Sequence, residues 1–210
     1  MSDDGVLTIA DEAVLRAQDP ERSKLAEVKE LDHLETHSRN FIALSPFLVI
    51  GSTRPGQGTD VSPRGDQPGF VRVLDDHTLA IPDRPGNNRL DTLSNLLADA
   101  EVGLIFFVPG IDETLRVNGT ASLSSDPALL AASAVNGKLP RMMVLVKVRQ
   151  MFFHCGKALK RSRFWQDDYK VERSVFPSLA RVIIEQAKPA GVTVEEAEAR
   201  VERSYKENLY

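Results

Sequence analysis

The segment Ile81-Pro-Asp-Arg-Pro-Gly-Asn-Asn-Arg89-Leu-Asp-Thr-Leu93 holds the residue types and spacing best suited to chemistry. The apolar run before it reads as the end of a strand. Gly86 permits a tight turn and Asn87 can cap a helix, so that Asn88 and Arg89 fall in its first turn. A helix start presents unpaired N–H groups and the positive end of the helix dipole, which attract anions and repel cations. Arg84 and Arg89 nevertheless flank it. A bound phosphate accounts for them, because the N–H groups and two guanidinium forks stabilise it together. The other reading is a helix cap whose two surface arginines tolerate a repulsion of about 0.3–1 kcal/mol. Ser62-Pro-Arg-Gly-Asp66 adds a third cation, Arg64, on a rigid strand end beside a turn. It is either a further phosphate ligand or half of an Arg64–Asp66 surface pair of small consequence.

Two more stretches carry polar groups in pattern. In Asp112-Glu-Thr-Leu-Arg-Val-Asn-Gly119, Thr114 and Arg116 are two apart and share a strand face. Such alternation suits the polar edge of a ring, or simply a half-exposed strand. In Phe152 to Trp165, Lys157, Arg161 and Trp165 lie four apart and on a helical turn would form one cationic and aromatic face. His154 and Cys155 are neighbours on a strand and point to opposite faces, so they do not make a thiol–base pair. Cys155 reads as a small buried residue and His154 as structural. Walker-type phosphate loops, dinucleotide fingerprints and serine elbows are missing from the sequence, which removes the commonest nucleotide and serine hydrolases.

The elements that must position these residues follow from periodicity. Helical spacing is expected over about 20–37, starting at Asp19-Pro20, and again over 37–44, ending at Ser45-Pro46. Strands are expected at 47–53, 61–64, 70–74, 78–82, 102–108, 113–123 and 141–155, the sixth with a bulge at Gly119. A helix is expected over 88–99, a short one from Asp126-Pro127, and two terminal ones over 175–187 and 193–208, the last opened by the capping box Thr193-Val-Glu-Glu196. Six or seven strands in hairpin succession with helices at both ends predict a mainly β antiparallel barrel with flanking helices. Residues 1–18 read as an N-terminal arm, 19–170 as the barrel domain with its leading helix, and 171–210 as a C-terminal helical extension.

At 210 residues, 42% hydrophobic and 27% charged, the chain has the composition of a globular protein, and it has no apolar stretch near the ~20 residues of a membrane helix. One cysteine excludes an internal disulfide and the usual structural zinc sets. The start, MSDDGVLTIADEAV, is acidic where a secretory signal is basic, so a cytoplasmic address is expected. The net charge of -4 is unevenly spread: residues 1–40 hold ten acidic and five basic side chains, whereas 127–166 hold eight basic and none acidic. That block suggests a local anion site or a solvated strand face; Lys138, Arg141, Lys147 and Arg149 are read as the latter.

At S-P-R-G-D (62–66), I-P-D-R-P-G-N-N-R (81–89), E-T-L-R-V-N-G (113–119) and the H-C-x-K-A…R-S-x-x-W ending (154–165), the chain resembles the pyridoxamine 5'-phosphate oxidase-related, FMN-binding split-barrel proteins. The resemblance covers roughly residues 35–170. It implies a Greek-key barrel that dimerises with FMN at the subunit interface. Arg64, Arg84, Asn88 and Arg89, with Asn87 at the same turn, would hold the phosphate. Pro82 and Asp83 backbone, with the Thr114–Arg116 strand, would border the isoalloxazine. Lys157, Arg161 and Trp165 would close the pocket from the partner subunit. The Arg-Lys pair usual in the phosphate turn of the authentic oxidases reads Asn88-Arg89 here, so their vitamin substrate is not implied. The expected function is an FMN-dependent oxidoreductase acting on a small substrate, without nucleic acid or membrane partners. The alternatives are a flavin carrier or sensor without turnover, and a deazaflavin or haem protein on the same barrel. A haem would need an axial ligand from His33, His37, His77 or His154.

Overall fold

The computed structural model describes residues 8–18 and 24–210. The chain divides into two compact units, residues 1–30 and 31–210. The first carries α1 (Glu12–Gln18) and α2 (Lys24–Val28). The expected start of a helix at Asp19-Pro20 lies outside the described residues. The helix expected to run to residue 37 stops at Val28, and Leu31 instead exchanges backbone hydrogen bonds with Met151. A new helix, α3 (Thr36–Leu44), begins at Glu35, whose carboxylate accepts from the His37 and Ser38 N–H groups while Ser38 Oγ accepts from the Glu35 N–H. This reciprocal cap interrupts what periodicity alone joins. The helix ends at Ser45-Pro46, as proline requires.

The rest of the second unit is built on seven antiparallel strands. In chain order these are β1 (Phe47–Arg54), β2 (Gly58–Gly65), β3 (Arg72–Asp75), β4 (Thr78–Pro82), β5 (Glu101–Phe107), β6 (Thr114–Ser124) and β7 (Met143–His154). They lie in the order β2-β1-β5-β6-β7-β4-β3, a Greek-key arrangement. β2 is longer than its apolar residues suggest, because it pairs with β1 from Arg54–Gly58 to Phe47–Gly65. The register shifts at Asn118/Gly119, as expected of a bulge. A Cβ at Gly119 would sit 1.9 Å from the Lys147 carbonyl oxygen, so no other residue fits there.

The inner face of the sheet carries Leu48, Ile50, Leu79, Ile81, Leu104, Phe106, Leu115, Val117, Val144 and Val146. Helix α4 (Asp91–Ala98) adds Leu93 and Leu96 to this core and packs on β1, β2 and β6. Asn95 Nδ2 donates to Ser52 Oγ at 3.1 Å, and Thr92 Oγ1 to Asp60 Oδ2 at 3.3 Å. The expected helix over 88–99 is shorter at its start. Asn88 and Leu90 are left-handed, at φ 59° and 61°, so helical geometry begins only at Asp91. Asn87 Oδ1 accepts from the Arg89 N–H and so caps a turn rather than the helix.

α5 (Pro127–Ala132) starts under its Asp126 cap. Beyond β7 the chain forms α6 (Lys157–Ser162), α7 (Leu179–Ala187) and α8 (Val194–Glu207). The capping box at Thr193 and Glu196 forms, which commits the Glu196 carboxylate to the Thr193 N–H. Glu202 pairs with Lys206 at 2.7 Å. No helix among the described residues is long and apolar enough to cross a membrane.

Candidate functional site

β2 and β4 stand far apart in the order of the sheet, yet the segments that follow them meet. Two crossed ion pairs join them: Arg64 Nη1 donates to Asp83 Oδ1 at 2.9 Å, and Arg84 Nε to Asp66 Oδ2 at 2.7 Å. The Arg64–Asp66 pair that adjacency suggested does not form, because the curvature of the sheet offers each a nearer partner across the seam. Burial pushes the Asp66 carboxyl up. Hydrogen bonds from Tyr210 Oη, the Gln67 N–H and Arg84, with the charge of Arg84, outweigh it and hold the group below its ordinary value.

Beside this seam lies a cavity of about 470 Å³. It is lined by Ser62 to Gly65, by the loop from Pro82 to Leu90, by the start of α4 and by Arg141. Arg64, Pro82, Asp83, Arg84, Asn87, Asn88 and Arg89, all named from sequence, therefore share one hollow. Four arginines line it against Asp60, Asp83 and Asp91. Among the described residues, Arg64, Arg84 and Arg89 are each held at one nitrogen. Arg89, on the left-handed loop, gives its Nε to Asp91 at 2.7 Å. A guanidinium carries five N–H donors, so N–H groups of all three remain for a ligand. Leu90, the N-cap of α4, provides no side-chain cap, and Asp91, Thr92 and Leu93 at the start of that helix line the cavity. The cation–dipole conflict expected from sequence is softened, since Arg89 precedes the helix and Asp91 occupies its first turn.

Arg141 was not expected here. Its N–H donates to the Asp83 carbonyl at 3.3 Å, and the Asp83 N–H to the Met142 carbonyl at 2.9 Å. These bonds carry the β4–β7 ladder past Pro82–Met143 and set Arg141 at the cavity wall. Its guanidinium has no ion-pair partner among the described residues. Strand pairing is the signal that finds it: residues 82 and 143 opposite each other place 141 near 83.

The other predicted residues lie outside this cavity. Thr114 is buried at the start of β6, opposite His154, whereas Arg116 is exposed, donates from Nε to Asn118 Oδ1 at 3.2 Å and stacks over Phe152. A shared strand face has not given them shared exposure. Lys157 and Arg161 are exposed on α6. That helix ends at Ser162 and Arg163 turns left-handed, so Trp165 leaves the face of the other two and donates from Nε1 to the Ile111 carbonyl at 3.0 Å. Cys155 is exposed rather than buried, because β7 ends one residue before it. The His154 ring packs edge-on against Phe152.

Comparison with known proteins decides the ancestry. Residues 34–155 match the sequence profile described as pyridoxamine 5'-phosphate oxidase. The chain belongs to the pyridoxamine 5'-phosphate oxidase family. Its fold is the mainly β split barrel of that family, flanked by helices. The match spans both halves of the seam and stops at Cys155, short of Lys157, Arg161 and Trp165. A comparison with curated proteins returns no match. Among solved structures, HupZ of Group A Streptococcus is similar at 14% identity over 57% of this chain and 94% of its own, with a TM-score of 0.46. An FMN-binding protein from Syntrophomonas wolfei is similar at 12% over 56% and 81%, with a TM-score of 0.43. A FAD binding protein from Mycobacterium smegmatis is similar at 16% over 59% and 97%, with a TM-score of 0.42.

Proposed function

We propose that this member of the family binds FMN in the arginine-lined cavity and works as a flavin-dependent oxidoreductase on a small organic substrate. The observation that carries this reading is the gathering of Arg64, Arg84, Arg89 and Arg141 around one hollow at an uncapped helix start. The cavity volume lies within the roughly 300–1,000 Å³ of small-molecule sites. The donor set fits a phosphate monoester: fixed guanidinium forks and backbone N–H groups, in a wall with one more cation than anion.

In this reading Arg64, Arg84 and Arg89, with Asn87 and Asn88 on the same turn, hold the phosphate. Pro82 and Asp83 backbone and the strand from Thr114 to Arg116 border the ring system. FMN when bound supplies the electron transfer; the protein supplies binding, orientation and electrostatics. Asp83 and Asp66 keep two of the guanidinium groups oriented before a ligand arrives, so less rotamer freedom is lost on binding.

A second copy of the chain completes the site. The outer face of the sheet carries Phe47, Val49, Ile105, Phe107 and Phe152 half-buried or exposed, an apolar surface suited to a like partner. Lys157, Arg161 and Trp165, which do not line the cavity of their own chain, are assigned to the cavity of the partner. A cytoplasmic address goes with this reading.

The test is the purified protein's absorption spectrum and its mass in solution, followed by anaerobic titration with NADH and NADPH. The expected result is a yellow dimer with flavin bands that bleach on reduction and return with an acceptor. Stable flavin bands unmoved by either nucleotide would favour a carrier or sensor. A haem or deazaflavin spectrum would replace FMN. Apoprotein that binds FMN no better than riboflavin would end the phosphate assignment.

A further inference from the structure

Tyr210 lies far along the chain from the seam and touches it. Its hydroxyl donates to Asp66 Oδ1 at 2.7 Å, while the other oxygen of that carboxylate takes Arg84 Nε at 2.7 Å. The Arg84 guanidinium carbon stands 5.5 Å over the centre of the Tyr210 ring. Lys138 Nζ donates to the main-chain oxygen of Tyr210 at 2.9 Å, which fixes the residue at its backbone. Three contacts thus converge on one residue beyond α8, two of them at its side chain, outside the stretch matched by the family profile.

The arrangement constrains Arg84 from two directions. Asp66 is almost fully buried, so its two oxygens are the fixed point. Tyr210 Oη and the Gln67 N–H share Oδ1 and leave Oδ2 to Arg84, so the tyrosine reinforces one orientation of the carboxylate. The ring closes one side of the guanidinium plane and favours its charge. The nitrogens Nη1 and Nη2 have no acceptor among the described residues, and Arg84 lines the cavity. We infer that Tyr210 is a positioning residue for the anion site: it orders Asp66, and through it Arg84, so that the arginine presents its free fork to the phosphate of the ligand. This inference rests on the reading of the cavity as a phosphate-ester site.

The consequence is that Tyr210 sets selectivity for the phosphorylated ligand without touching it. The test uses the full chain as apoprotein with three variants, Tyr210→Phe, Tyr210→Ala and Arg84→Lys, titrated with FMN and with riboflavin by fluorescence. Tyr210→Phe keeps the ring and removes the hydroxyl. It is expected to weaken FMN about tenfold while riboflavin binding stays put, with Tm lowered modestly by the loss of one hydrogen bond to a buried carboxylate. Tyr210→Ala, which also removes the ring, is expected to weaken FMN further. In the ligand-free protein, exchange of the Arg84 Nε proton, followed by NMR, is expected to quicken in Tyr210→Phe, a readout independent of flavin.

Equal losses for FMN and riboflavin in Tyr210→Phe would overturn the inference, since the residue would then be merely structural. So would unchanged FMN affinity in Tyr210→Phe when Arg84→Lys is impaired; the cavity reading would survive that outcome. Unchanged FMN affinity in Arg84→Lys, or apoprotein blind to the phosphate, would remove the cavity reading and this inference with it.

Discussion

Arg84 and Arg89 line the same hollow and are held in opposite ways. Arg84 and its partner Asp66 have side-chain exposures of 14% and 1%, and the pair bridges two segments eighteen residues apart. Arg89 and Asp91 are 72% and 45% exposed and two residues apart on a loop with two left-handed residues. The first is an oriented fixture whose carboxylate is largely shielded from water. The second is an adjustable arm whose ion pair competes with solvent at little cost. Stability and ligand affinity should therefore separate between them.

The largest effect is expected at the buried pair. Arg84→Ala leaves Asp66 desolvated and uncompensated, and urea denaturation should show a loss of about 3 kcal/mol as well as a loss of FMN binding. The matching loss in Arg64→Ala should be smaller, because Arg64 and Asp83 are 22% and 8% exposed. Next comes acid. Asp66 is held below its ordinary value in the folded state, so its ionised form contributes stability above the unfolded carboxylate range. That contribution disappears as pH falls from about 4 through the lower folded value. Plots of stability against pH for the native protein and Asp66→Asn should differ most above pH 4 and converge below it.

Arg89→Ala sharpens the contrast from the other side. Its denaturation midpoint should stay within about 0.5 kcal/mol of the native protein, while FMN affinity falls about tenfold. An equal loss of stability in Arg84→Ala and Arg89→Ala would erase the distinction. The smallest effect is expected at Leu90, exposed and left-handed: Leu90→Gly should stabilise the fold by up to about 1 kcal/mol of relieved strain, read as a higher melting temperature.

The sequence carried much of this frame. Alternation and turn residues located every strand, since a half-buried sheet writes its period directly into the chain. The motifs named Arg64, Arg84 and Arg89 together, and the three line one cavity. What periodicity could not supply were choices made in three dimensions. Leu25, Val28, Leu31 and Leu34 keep helical spacing, but Glu35 and Ser38 cap a separate helix and Leu31 joins Met151. Asn88 and Leu90 delay α4 through backbone angles that composition does not encode. Arg141 came to the cavity through strand register. Asp66 chose Arg84 over its neighbour Arg64 because the barrel closes. Tyr210 carries no local signal at all, since its contacts with Asp66 and Arg84 depend on the whole path of the chain back to the seam.

The way the seam is assembled has a temporal meaning. Asp83 and Arg84 follow β4, whose only inner neighbour is β7, residues 143–154. β7 in turn is placed by β6, β6 by β5, and β5 by β1, the strand that carries β2 and its Arg64. A nascent chain still lacking residues near 150 has every arginine of the cradle except the means to gather them. On the proposed reading, the ligand would meet these arginines only after the final strand is seated, and its capture would report that the barrel has been finished.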